Sequence, residues 1–182
     1  KLPEHVNQII HRLQKEGFDA YAVGGCVRDT LLGKEPKDWD ITTSATPDVV
    51  KKLFVHTIDT GIEHGTITVM LEHVGYEVTT YRIDGAYTDH RRPTEVAFTS
   101  QLYEDLARRD FTINALALCL NKERYGELVD PFGGLDDMED LLIRTPLDPD
   151  ITFSDDPLRM MRAVRFATQL GFFIDTETFD AI

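Results

Sequence analysis

Cysteine, tryptophan and basic residues are scarce in this chain of 182 residues. It has two cysteines, one tryptophan, and 19 Lys and Arg against 32 Asp and Glu, for a net charge of −13. Cys26 and Cys119 sit in apolar surroundings without metal-type spacing, so neither a disulfide framework nor a zinc motif is expected. They read as small buried hydrophobes in a reducing cytoplasm. No apolar run is long enough to span a bilayer and no basic-then-apolar leader is visible, so no membrane partner is expected. Internal repeats and low-complexity segments are also lacking. The acidic balance disfavours a broad grip on nucleic acid, which needs cationic surface. Three readings remain: a small substrate, RNA held locally by clustered arginines, or a gripping part beyond Ile182. The stretch from Asp175 to Ile182 reads as a helix start with no stop signal, so the chain is expected to end within a larger architecture.

The hydrophobic content of 42% supports one domain with a real core, plus a small appendage. The chain is organised around the segment from Ala22 to Ile41. It reads as a strand, a glycine turn at Gly24 and Gly25, a short helix closing on Gly33, and a second strand carrying Asp38 and Asp40. Alternation would place both aspartates on one face, with α-carbons roughly 6.5 Å apart, and Trp39 and Ile41 on the other. Like charges held that close repel unless a cation lies between them, and magnesium suits hard carboxylate oxygens. The paired glycines let the backbone approach a ligand, the helix start favours an anion, and Arg28 can add a charge-assisted contact. A phosphate cradle beside a carboxylate pair points to nucleotidyl transfer.

Elsewhere the pattern is mostly architectural. Glu4 to Glu16 reads as a packing helix with Val6, Ile9, Ile10 and Leu13 on one face, ended by Gly17. Asp19 to Val23 is the first strand, and Thr46 with Pro47 opens a short helix through Phe54. Gly65 to Leu71 and Tyr76 to Arg82 read as a hairpin around His73, Val74 and Gly75. Glu77 is a third carboxylate near the metals if its strand lies beside the aspartate strand, and otherwise an exposed strand glutamate. Ile83 to Ala97 is a polar connector carrying Asp84, Asp89, Arg91 and Arg92, long enough to be functional or mobile. Helices are expected over Leu102 to Arg109 and Phe111 to Leu120. Between them, Arg108, Arg109 and Asp110 form either a salt-bridged junction or a site where the arginines reach a nucleotide while Asp110 and Asn114 read its sugar. Leu128 to Gly134 ends a strand in a proline–glycine turn, a plausible hinge. An acidic helix spans Leu135 to Leu142, and Ile143 to Thr145 is a short strand. Ser154 is expected to cap a last long helix, with Asp155 and Asp156 in its first turn, closing at Gly171.

Five segments in order carry a family resemblance: Gly24 to Asp29, Asp38 to Asp40, Arg108 to Ala115, Val129 to Gly134, and Asp155 to Arg162. Together they resemble the class II tRNA nucleotidyltransferases, the CCA-adding enzymes, which share head and neck with bacterial poly(A) polymerases. The resemblance covers nearly the whole chain. It implies an α/β fold: a polymerase-β-type nucleotidyltransferase head over residues 1–145, with a small mixed sheet flanked by helices, then the start of an all-helical neck over 146–182. The family's body and tail would be absent. The implied reaction is two-metal, magnesium-dependent transfer of CMP and AMP from CTP and ATP to the 3′ end of tRNA. Asp38 and Asp40 would be the catalytic metal ligands, with Gly24, Gly25 and Arg28 at the triphosphate and Arg109 and Asp110 at the incoming nucleotide. Asp156 and Arg159 match the pair that templates the base, supported by Arg162. The family usually has Glu-Asp where this chain has Asp155 and Asp156. A fixed acceptor beside a fixed donor suits the pairing edges of C and A and leaves U and G mispaired, at roughly 1–3 kcal/mol per group. The loop holding Asp84 through Pro93 argues against CC-only addition. A-only addition, poly(A) synthesis, and a non-catalytic nucleotide- or RNA-binding module are the rivals.

Overall fold

The computed structural model describes residues 2–83, 97–119 and 126–182. Its centre is a seven-stranded mixed sheet in the order β3-β4-β5-β2-β1-β8-β9. The strands are β1 (Ala20–Val23), β2 (Asp40–Thr43), β3 (Thr57–Gly61), β4 (Thr66–Leu71), β5 (Val74–Thr80), β8 (Ala117–Cys119) and β9 (Glu127–Val129). Two small ribbons complete the strands: β6 (Arg82–Ile83) with β7 (Ala97–Phe98), and β10 (Leu142–Ile143) parallel to β11 (Phe173–Ile174). The helices are α1 (Glu4–Lys15), α2 (Gly25–Leu31), α3 (Pro47–Leu53), α4 (Leu102–Ala107), α5 (Gly134–Glu139), α6 (Pro149–Asp155), α7 (Leu158–Leu170) and α8 (Thr176–Asp180).

One sheet face is apolar along its length, and the other is polar at β2, β5 and β4 but apolar at β1 and β8, where Val23 and Ala117 pack with Leu106 of α4. Ile41, Ile67, Val69 and Val78 are fully buried in the same core as Val6, Ile9, Ile10 and Leu13 of α1. The opposite face carries Asp40, Glu77 and Thr68 in one row, because Asp40 pairs with Glu77 and Glu77 with Thr68. β2 and β5 run parallel, with β4 returning antiparallel beside β5. The aspartate strand and the glutamate strand are therefore neighbours, the condition on which the third carboxylate depended.

Several expectations need correction. The helix expected over Phe111 to Leu120 is not formed by its described residues, 111–119: a 3₁₀ turn at Thr112–Asn114 leads into β8, between β1 and β9. A short apolar run cannot separate a buried strand from a buried helix by periodicity. The strand β3 was not anticipated, because an edge strand reading Thr-Ile-Asp-Thr-Gly shows no apolar face. The hairpin turn falls on Glu72 and His73, both with positive φ, and Val74 and Gly75 belong to β5. A Cβ at Gly75 would lie 2.9 Å from Thr68 Cγ2, so a larger residue there would have to displace that side chain. Ser154 is inside α6, which is capped by Asp148 accepting from the Asp150 N–H at 2.9 Å. Pro157 lacks an N–H and ends that helix, so α7 begins only at Leu158. The segment after β10 is helical apart from β11, which ties the end of α7 back to the rest of the molecule.

Candidate active site

The glycine turn comes first, because its backbone sets where two arginines lie. Gly24 has φ 82° and ψ −140°, a conformation that side chains strongly disfavour, and its N–H donates to Leu116 O at 3.2 Å. A Cβ at Gly24 would stand 3.4 Å from Arg109 Nη1, and one at Gly25 would stand 3.4 Å from Arg28 Nη2. Two guanidiniums from distant parts of the chain thus lie directly over the glycine pair. Arg28 is fixed by Asn114 Oδ1, to which Nη1 donates at 2.7 Å, and by Asp29 Oδ1, to which Nε donates at 3.0 Å.

Arg109 is held differently. Arg108 and Arg109 form a salt-bridged junction, but the acid is Asp105 on α4 and not the neighbouring Asp110. Asp105 is fully buried, and it also accepts from the Thr42 hydroxyl at 2.9 Å and the Arg82 N–H at 3.1 Å. Burial works against its charge, yet Arg109, Arg108, Thr42 and the Arg82 N–H together hold the carboxyl below its ordinary range. The bond from Arg109 Nη2 is long, 3.4 Å, and Arg109 Nε is buried with no hydrogen-bond partner among the described residues. Sequence reasoning missed Asp105. Its spacing three and four residues before two arginines, on a helix, was the available signal.

Asp110 serves another network. Its Oδ1 accepts from the Phe111 N–H at 2.7 Å and from Asn114 Nδ2 at 3.1 Å, and its Oδ2 accepts from Arg162 Nε at 2.9 Å. Asn114 therefore links the carboxylate paired with Arg162 to the guanidinium of Arg28. Phe166, also missed, lies under this network: Arg28, Arg162 and Arg165 sit 5.1, 5.2 and 5.4 Å from its ring centre.

The carboxylates face this cationic turn. β2 begins at Asp40, so Asp38 precedes the strand and strand alternation does not pair the two aspartates as expected. Asp38 and Asp40 are both exposed, and Asp40 stands in register with Glu77 on β5. The Asp40 carboxyl is pushed up to about 6, first by loss of water around it and then by Glu77. Arg109 opposes that shift, and the contact with Glu77 and the charge of Asp38 add to it. A carboxyl whose ionisation is suppressed by its neighbours, as that of Asp40 is, is what a hard cation relieves, and the side-chain donors of Asp38, Asp40 and Glu77 are all oxygens. Among the described residues no three His, Cys, Asp or Glu side chains are grouped so that they could hold a metal ion together.

At the far side of the arginines, Asp156 terminates α6 and its Oδ1 accepts from the Leu158 N–H at 3.1 Å. Asp156 and Arg159 do not share a helical face as expected, because Asp156 lies before α7. The Arg159 guanidinium donates to Thr152 O at 3.1 Å and Arg108 O at 2.8 Å. The connector residues Asp84, Asp89, Arg91 and Arg92 lie outside the described residues.

The turn at Asp130 to Gly134, expected as a hinge, is bridged by three hydrogen bonds in this structure. Asp130 accepts from the N–H groups of Gly134 and Leu135 at 2.7 and 2.9 Å, and Arg144 Nη2 donates to Phe132 O at 2.9 Å. A Cβ at Gly134 would fall 2.3 Å from Thr112 O. Gly134 therefore packs its bare backbone on the turn that carries Thr112 and Asn114.

Comparison with known proteins places this geometry. The family model described as "Poly A polymerase head domain" matches residues 20–167. The CCA-adding enzyme of Limosilactobacillus reuteri is 50% identical over 179 residues, covering 98% of this chain and 43% of that enzyme. The crystal structure of the Bacillus stearothermophilus CCA-adding enzyme in complex with CTP superposes with a TM-score of 0.88 at 45% identity, covering 100% of this chain and 43% of that one. The Thermotoga maritima CCA-adding enzyme complexed with tRNA gives a TM-score of 0.79 at 28% identity, covering 97% and 40%. The chain thus spans less than half the length of these relatives. With the family model matching residues 20–167 of 182, the chain belongs to the poly A polymerase head domain family.

Proposed function

We propose that this chain is the catalytic head and first part of the neck of an enzyme that adds CMP and AMP, from CTP and ATP, to the 3′ end of tRNA, releasing pyrophosphate. The observation that carries this is the juxtaposition of the Asp40–Glu77 pair with Arg28 and Arg109 over Gly24 and Gly25. The likeness to enzymes solved with CTP and with tRNA supports the substrate assignment. The division into a head over 1–145 and a neck over 146–182 follows the same reading.

Each residue has a role in this proposal. Asp38 and Asp40, with Glu77 beside them, would hold magnesium, and the raised Asp40 carboxyl fits a site that a cation completes. Bound there, two magnesium ions would lower the pKa of the acceptor hydroxyl and neutralise the triphosphate and its leaving group. Arg28 and Arg109 would bind the phosphates from the side of the glycine turn. Asp110 and Asn114 would orient the sugar, since both are already fixed by Arg162 and Arg28. Asp156 and Arg159 would read the base edge. The carbonyl bonds from Arg159 Nη1 and Nη2 fix the plane of a guanidinium that carries five N–H donors. The two buried free thiols, Cys26 and Cys119, fit a cytoplasmic enzyme.

The test uses the chain extended to the length of its relatives, with magnesium and labelled CTP or ATP. It is offered tRNA lacking its last three nucleotides, tRNA ending in one C, and tRNA ending in CC. C addition to the first two and A addition to the third is the expected result. A single A added only to the CC end would mean an A-adding partner, and a long A tail on any RNA would mean poly(A) synthesis. No incorporation would leave a binding module. Asp40→Ala should abolish incorporation while leaving the circular dichroism spectrum unchanged.

A further inference from the structure

We infer that Phe166 is a positioning residue for nucleotide binding, its ring holding the guanidiniums of Arg28 and Arg162 in one fixed arrangement. The inference rests on the reading above that Arg28 meets the triphosphate.

The geometry is a closed loop of contacts. Arg28 Nη1 donates to Asn114 Oδ1, Asn114 Nδ2 donates to Asp110 Oδ1, and Arg162 donates to Asp110 Oδ2. Both arginines then meet on Phe166, at 5.1 and 5.2 Å from the ring centre. The ring is itself oriented by Phe111, edge-on at 6.0 Å and 84°, and the Phe111 N–H donates back to Asp110. Arg162 is four residues before Phe166 on α7 and so shares its face, whereas Arg28 comes from α2. With Arg165 of α7 at 5.4 Å, three like charges from two separate elements are drawn to one residue.

The physical reason is the ring quadrupole. Like-charged guanidiniums repel, and Asp110 alone is shared between Arg162 and the hydrogen bonds that orient Asn114 and Phe111. The electron-rich faces of an aromatic ring attract cations without adding a carboxylate that would repel a phosphate. An aliphatic residue of similar size could fill the space but would not hold the charges. Arg28 has a side chain only 11% exposed, so the attraction is weakly screened by solvent.

Binding of CTP and of ATP to this chain, measured by calorimetry with magnesium, tests the inference. Phe166→Leu should raise both dissociation constants by about tenfold, the scale of a partly desolvated cation–π contact. Both nucleotides should weaken by the same factor, because the ring acts on phosphate-side and sugar-side groups and not on the base. Replacing Phe166 with mono-, di- and trifluorophenylalanine drains the ring face with little change of shape, and it keeps the test valid if the leucine variant folds poorly. The logarithm of each dissociation constant should rise with each fluorine, and Phe166→Tyr should bind like the parent. A flat fluorine series with tight parental binding overturns this inference alone, since a ring that merely packs is indifferent to its electrons. A parent that binds neither nucleotide overturns the functional reading and this inference together.

Discussion

Asp105→Asn is the substitution whose consequence the structure specifies most fully. The carboxylate is fully buried, and four groups depend on it: the Arg108 and Arg109 guanidiniums, the Thr42 hydroxyl and the Arg82 N–H. Asparagine keeps the shape and one acceptor oxygen, so the Thr42 or Arg82 bond survives, but the negative charge is lost. Two guanidiniums, with side chains 11% and 18% exposed, then lose the carboxylate that they share. Breaking a buried pair by removing one partner costs about 3–5 kcal/mol. Arg108 and Arg109 retain partial access to water, which places the expected loss near the lower end, about 3 kcal/mol. Urea unfolding at pH 7 and 25 °C measures it directly. The pH dependence supplies an independent check. A carboxyl held below its unfolded value stabilises the fold above that value, and the contribution disappears as pH falls through the folded value. The parent should therefore lose stability as the solution is acidified below about pH 4, the ordinary carboxylate range. The asparagine variant should lack that component, and the two stabilities should converge at low pH. A loss below about 0.5 kcal/mol at pH 7, or a difference independent of pH, would refute the view that Asp105 organises the arginines by charge.

Two further outcomes follow from single positions. Gly134→Ala should cost about 3 kcal/mol or more, because its Cβ would meet the Thr112 carbonyl at 2.3 Å and backbone cannot yield as a side chain does. Thermal unfolding should show a fall of several degrees, and an unchanged midpoint would mean that the turn is loose. Asp40→Asn should stabilise the metal-free protein at pH 7. A carboxyl raised to about 6 favours the fold while protonated, and that benefit is present below the unfolded value and lost as pH rises through 6. Discounted for its exposure to solvent, the gain is on the order of 1 kcal/mol above pH 7 and vanishes below pH 4. A stability difference that does not grow between pH 4 and 7 contradicts the convergence of Asp40 with Glu77.

The sequence made those features legible that depend on neighbours along the chain, and hid those that depend on topology. Period-2 alternation gave β4 and β5, helical spacing gave α1, and Gly17 and Gly171 marked helix ends through their positive φ. The residue types at the site were equally readable, since paired glycines and clustered carboxylates announce themselves locally. Their partners were not. Nothing local says that Arg109 is held by Asp105 across the helix and not by Asp110 beside it, or that Arg28 rests on a phenylalanine far along the chain. The same limit explains β8, whose apolar run is a strand only because β1 and β9 flank it. The pairing pattern also bears on how a chain of net charge −13 could meet an anion. Four of the arginines at the site are matched to acids within it: Arg28 to Asp29, Arg108 and Arg109 to Asp105, and Arg162 to Asp110. These pairs position the guanidiniums while cancelling much of their field, and Asp38, Asp40 and Glu77 add negative charge alongside. A bare polyanion therefore gains little from approaching the glycine turn. On the proposed function, a triphosphate sharing a divalent cation with those carboxylates would meet complementary charge on both sides, and an acidic chain could then hold a highly anionic ligand.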